Sequence, residues 1–192
     1  MAVPFTKQRR DEISEKLKEG ARISAAEKGM KKTSVDGLVA YAQISKGAFY
    51  NFYESKDELF LDIVEDWHTE IYGEILDMLF ENNGLSDKKK TALAIFKACE
   101  MIKENGYLNF IHRDLDMLLD NLKETEFIDR FHSDDIHIAE VIRFSGIKLI
   151  VTDDEAVSII KNLVFTVLNS EMKGYWQAQK ILINSVCNYI IK

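Results

Sequence analysis

A single proline, at position 4, constrains this chain more than any other feature. Proline lacks a backbone N–H and breaks helices and central strands, so beyond residue 4 only glycine and polar clusters can end an element. Nine glycines serve the remaining length, and the stretches between them are rich in Leu, Ile, Lys, Glu and Ala. These are good helix formers, so the expectation is an all-α fold. At 192 residues the chain suits one domain or a small head on a larger body.

Apolar positions carry the same message. Ile13, Leu17, Ala21 and Ala25 recur every four residues and predict a helix from Thr6 to Lys28, closed by Gly29. Thr33 can cap a short helix from Ser34 with Val35, Leu38, Val39 and Ala42 inward, and Ser45 can cap a third running to about Tyr53. Ser55-Lys56-Asp57-Glu58 reads as a capping box opening a long fourth helix, which lasts until Asn82-Asn83-Gly84. Five more helices are expected near 86–104, 107–122, 124–146, 153–173 and 175–191. Only Ile147–Val151 has strand character, and it is too isolated for a sheet.

Net charge conceals an asymmetry. The formal charge is −7, yet residues 1–56 carry a balance of +4 and residues 57–192 a balance of −11. A polyanion would meet the head, not the body. No secretory apolar run precedes the basic cluster at Lys7-Gln8-Arg9-Arg10, and the apolar stretch 159–168 is too short to span a bilayer, so a cytoplasmic location without a membrane partner is expected. Cys99 and Cys187 stand alone and read as core residues.

Three helices with a short second and third are the parts of a helix-turn-helix, whose last helix enters the major groove N-terminus first. Ser45, Lys46, Gly47 and Ala48 would let the main chain approach the duplex closely, while Tyr50 and Asn51 face outward, one toward phosphate and the other toward a base edge. Lys56 stands in a helix first turn, where a cation opposes the dipole unless an anion such as phosphate comes near.

Residues 33–60, TSVDGLVAYAQISKGAFYNFYESKDELF, closely resemble the signature of TetR-family transcriptional regulators, matching at Thr33, Ala42, Ser45, Gly47, Tyr50, Ser55, Lys56 and Leu59 without a gap. The resemblance implies phosphate contacts from Thr33, Tyr50 and Lys56, and Ser45, Lys46, Ala48 and Asn51 near bases. Departures are Gln43 for the turn glycine, Gly37 inside the second helix, Asn51 where histidine is frequent, and Phe52-Tyr53 in place of Tyr-Phe. A positive φ at Gln43 would cost on the order of 1 kcal/mol.

The division that follows is residues 1–54 as a DNA-binding head and 55–192 as a helical ligand-binding and dimerisation body. A lone head of this size makes few contacts, so a homodimer on a palindromic double-stranded operator is expected, joined through the last two helices, which are apolar nearly all round. The resemblance implies that the middle segments enclose an inducer cavity and that the chain is a repressor. Aromatic and Met side chains, Trp67, Tyr72, Phe96, Met101, Tyr107, Phe110, Phe131 and Phe165, are its candidate lining and would suit a flat or lipophilic molecule. His112 with Asp116, and His132, Asp134, Asp135 and His137, lack a three-ligand spacing, so no metal or cofactor is expected. No phosphate loop or nucleophile motif suggests an enzyme. The alternative is a helical bundle that binds a small molecule or a partner protein without DNA.

Overall fold

The computed structural model describes residues 6–81, 84–104, 106–121 and 134–192. Its head contains α1 (Lys7–Glu27), α2 (Val35–Ala42) and α3 (Lys46–Phe49). The body contains α4 (Lys56–Phe80), α5 (Asp87–Glu104), α6 (Tyr107–Arg113), α7 (Leu115–Asn121), α8 (Asp134–Ser145), α9 (Asp153–Phe165) and α10 (Tyr175–Ile190), with a 3-10 turn at Thr166–Asn169 after α9. The fold is all-α, a helix-turn-helix head followed by a larger helical body. Among the described residues no helix is long and apolar enough to cross a membrane.

Helix starts follow side-chain caps. Thr6, Ser34, Ser45, Ser55 and Thr152 each accept from the backbone N–H three residues on, satisfying donors that a helix start leaves open. Two expectations change in detail. The cap of α2 is Ser34, while Thr33 is buried and donates its hydroxyl to the Gly29 carbonyl at 2.8 Å. At α4 the Glu58 carboxylate accepts from the Glu54 N–H at 2.6 Å, one residue before the expected partner. α3 is a single turn, ending before Tyr50 and not near Tyr53.

Helix ends account for the other differences. The segment expected as one helix over 107–122 is two, separated at Asp114, whose side chain is buried against Gly29. Of 124–146, the described part is helical over Asp134–Ser145. The helix expected over 153–173 stops at Phe165. There the Thr166 hydroxyl donates to the Leu163 carbonyl at 2.7 Å, and the chain tightens into the 3-10 turn. Leu149 forms an isolated antiparallel bridge with Ile191, which ties the extended 147–151 segment to the C-terminus.

One continuous core runs from Ile13 and Leu17 of α1 through Phe49, Leu59, Phe60 and Trp67 to Ile183 and Ile190 of α10. Head and body therefore share apolar packing. Polar links reinforce it: Lys18 bridges Asp62 and Asp66 at 3.2 and 3.1 Å, and Arg22 reaches Glu70 at 2.6 Å. These carboxylates raise the Lys18 and Arg22 pKa values against the opposing effect of burial.

Candidate nucleic-acid interface and interior cavity

The turn between α2 and α3 follows from one backbone choice. Gln43 adopts φ +57° and ψ +46°, the left-handed conformation foreseen for it. Its N–H donates to Ala40 and the Ile44 N–H to Val39, so the carbonyls at the end of α2 are satisfied in a Schellman arrangement. Behind the turn, Phe49 is fully buried and meets Tyr53 at 5.9 Å. The Tyr53 hydroxyl donates to Asp62 at 2.9 Å; burial is the main cause that raises its pKa, and the Asp62 charge adds to it.

With Phe49 inward, the opposite side of α3 faces solvent. Ser45, Lys46, Gly47, Tyr50 and Asn51 are exposed, and Ala48 is half-buried. Lys46 pairs with Asp36 at 3.0 Å on the same exposed side. A Cβ built on Gly47 would meet nothing within 4 Å, so the free protein does not itself require glycine there. Phe52 is only partly buried and lies 4.9 Å beneath the Arg10 guanidinium, which also donates to the Asn51 carbonyl at 3.2 Å.

Two residues expected at phosphates sit differently. The Thr33 hydroxyl is 4% exposed and engaged with Gly29, so it pins the loop after α1 and has no free surface for an anion. The Lys56 ammonium donates to the Met30 and Thr33 carbonyls at 2.8 and 3.0 Å. Those carbonyls offset the unfavourable dipole at the start of α4 without an external anion, and they hold the side chain against the α1–α2 loop.

In the body, a cavity of about 150 Å³ lies between α4, α5, α6, α8 and α9. Of the aromatic and Met candidates, Tyr72, Tyr107 and Phe165 line it. Trp67 and Phe110 do not: both are fully buried, Trp67 packs on Phe110 at 5.8 Å, and Phe110 stacks on Phe60 at 6.0 Å. Phe96 turns instead to Trp176 at 5.6 Å, and Met101 is half-buried against the core outside the wall. Phe131 lies outside the described residues.

Sixteen lining residues are Ala, Val, Leu or Ile, which the aromatic criterion missed. The signal was spacing: Ile71, Ile75 and Leu79 on α4, and Thr91, Ala94, Ile95, Ala98 and Ile102 on α5, fall on single helical faces. His68, Ser145 and Lys161 complete the polar part of the wall, and His68 hydrogen-bonds the Tyr107 hydroxyl. Among the described residues no three His, Cys, Asp or Glu side chains are placed to hold a metal ion.

Residues 17–63 match the family model for bacterial regulatory proteins of the tetR family. The matched segment runs from the middle of α1 through α2 and α3 into the start of α4. The fold agrees over nearly the whole length. A protein of Mesorhizobium loti MAFF303099 assigned to the TetR-family regulators superposes with TM-score 0.71 at 12% identity, over 96% of this chain and 96% of that one. A TetR-family regulator of Pectobacterium atrosepticum gives 0.66 at 18% identity, over 96% and 94%. RolR, solved with resorcinol, gives 0.55 at 15% identity, over 94% and 90%. No curated protein matches the chain. The TetR-like head is thus joined to a body of the same architecture as these regulators.

Proposed function

We propose that the chain is a one-component transcriptional repressor that binds a palindromic operator as a homodimer and leaves it when a small molecule fills the body cavity. The observation that carries this reading is the outward face of α3. Ser45, Lys46, Tyr50 and Asn51 stand exposed on a turn whose buried side is closed by Phe49, within a segment matching the TetR family. Side chains so placed suit base edges and phosphates of one major groove. Thr33 and Lys56 act in this reading through the loop they hold, and Tyr50 supplies the phosphate contact.

The partner surface is the side of α9 and α10 left open by the fold. Met172, Ile181 and Tyr189 are 66%, 68% and 76% exposed, and Phe165, Leu168 and Leu182 are exposed beside them. Such a patch on two consecutive helices favours four-helix packing with a second copy. RolR bound to resorcinol supports a ligand site in a body of this fold.

Selection of bound fragments from random duplexes, followed by a salt titration, tests the reading. A palindromic site whose affinity falls steeply with salt is expected. Failure to retain any duplex at low ionic strength would overturn it in favour of a bundle that does not bind DNA.

A further inference from the structure

The cavity wall is chemically one-sided. Twelve lining side chains are Ile or Val, whose branched Cβ atoms restrict rotamers and make stiff aliphatic walls. Its polar members are largely committed elsewhere. Thr91 donates to the Asp87 carbonyl at 2.8 Å and Ser145 to the Ile142 carbonyl at 2.9 Å, each within its own helix. Lys161, the one Lys or Arg of the wall, is held by Asp135 at 2.6 Å and lies 5.9 Å from the Phe165 ring centre. An anionic ligand would therefore lose its hydration without gaining an unpaired ammonium, which is strongly unfavourable in an apolar interior. The hydrogen-bonded His68–Tyr107 pair places an imidazole and a phenol hydroxyl together at one place on the wall.

We propose that the cavity takes an uncharged, saturated aliphatic compound with one hydrogen-bonding group seated at His68 and Tyr107. This deepens the repressor reading by assigning the ligand class, and it rests on that reading only for the consequence of binding. Stiff aliphatic walls favour a chain or saturated ring that follows their contour over a flat aromatic plate.

Calorimetry and thermal shift on the full chain with 1-octanol, octanoate at pH 8 and 2-naphthol test the assignment. Binding of 1-octanol about tenfold tighter than either of the others is expected. Equal or tighter octanoate overturns the uncharged class, equal or tighter 2-naphthol overturns the aliphatic one, and binding of none of the three overturns both. Ala98→Leu, which fills part of the space, should abolish the octanol response. Tyr107→Phe should weaken octanol about fivefold, the worth of one neutral hydrogen bond; unchanged affinity would remove the polar end from Tyr107. Operator release is measured separately. Octanol binding without release would uphold the ligand class and refute the inducer role, whereas release by a charged or aromatic compound that octanol does not mimic would uphold induction and refute the class.

Discussion

Replacing Gln43 with glycine should stabilise the protein. Gln43 is the one non-glycine residue with positive φ among the described residues, at +57°, and its side chain is exposed. The left-handed conformation costs an L-residue about 1–2 kcal/mol, which glycine avoids. Glycine also makes the unfolded chain freer, which returns about 0.5–1 kcal/mol of that gain. The net expectation is about 0.5–1 kcal/mol, a rise of roughly 1–4 °C in Tm for a chain of this length. Urea unfolding of wild type, Gln43→Gly, Gln43→Asn and Gln43→Ala provides the assay. The midpoint should rank glycine first and asparagine second, with alanine close to glutamine, at an unchanged dependence on denaturant. Because the Ile44–Val39 and Gln43–Ala40 backbone bonds persist in all four, operator affinity should hold to within about twofold. A destabilised glycine variant, or an alanine variant equal to it, would refute the strain argument and show that the glutamine side chain stabilises the turn.

Gly47→Ala should raise stability by about 0.5–1 kcal/mol, since a Cβ there meets nothing within 4 Å, yet weaken operator binding in a gel-shift titration if the duplex approaches this backbone. Lys56→Met removes the donor to Met30 and Thr33 and should cost on the order of 1–3 kcal/mol in denaturant unfolding. If the ammonium serves only those carbonyls, the salt slope of operator binding stays unchanged, whereas a fall of about one unit would show that it also reaches a phosphate. Burial raises both cysteine thiols to about 11, so neither should react with a thiol reagent at pH 8 in the native protein, and both should react once it is unfolded. The same shift means that the unfolded chain loses these protons first, so stability should decline as pH rises above about 9, the ordinary value for these thiols.

Elements were legible wherever a local signal sufficed. The Ser45 and Ser55 caps, the fourfold spacing of Ile13, Leu17, Ala21 and Ala25, and the strained turn at Gln43 depend on residues within one or two turns of each other. The breaks were less so. Asp114 interrupts 107–121 because its side chain is buried against Gly29, more than eighty positions earlier in the chain, and no local pattern encodes that. The intramolecular roles of Thr33 and Lys56 were hidden for the same reason: both types suit a phosphate, and here they also close hydrogen bonds to Gly29, Met30 and the Thr33 carbonyl. The cavity wall was hidden by the assumption that aromatics mark ligands. Trp67 and Phe110 are among the largest fully buried side chains and fill the centre, which leaves the lining to branched aliphatics that look like any core.

These placements constrain how cavity and head can communicate. α6 is only two turns long, and it carries Tyr107 at the cavity end and Arg113 at the other. Arg113 donates to the carbonyls of Ala25 and Ala26 in the last turn of α1. Just beyond, Asp114 abuts Gly29, where an added Cβ would come within 2.8 Å of the carboxylate. The acceptors are backbone carbonyls, so the receiving end of this link is fixed to the α1 axis. Lys56 closes the circuit from α4, because its Met30 and Thr33 acceptors lie in the loop that α1 and Thr33 position. A ligand that moves Tyr107 by a fraction of an ångström would reorient α1 and the loop leading into α2 together, so α3 would tilt as part of a rigid head. For such coupling to release DNA, the ligand must bind the tilted arrangement more tightly than the straight one. Removing the Arg113 guanidinium should then leave ligand affinity and operator affinity each near their separate values while shrinking the factor by which one reduces the other.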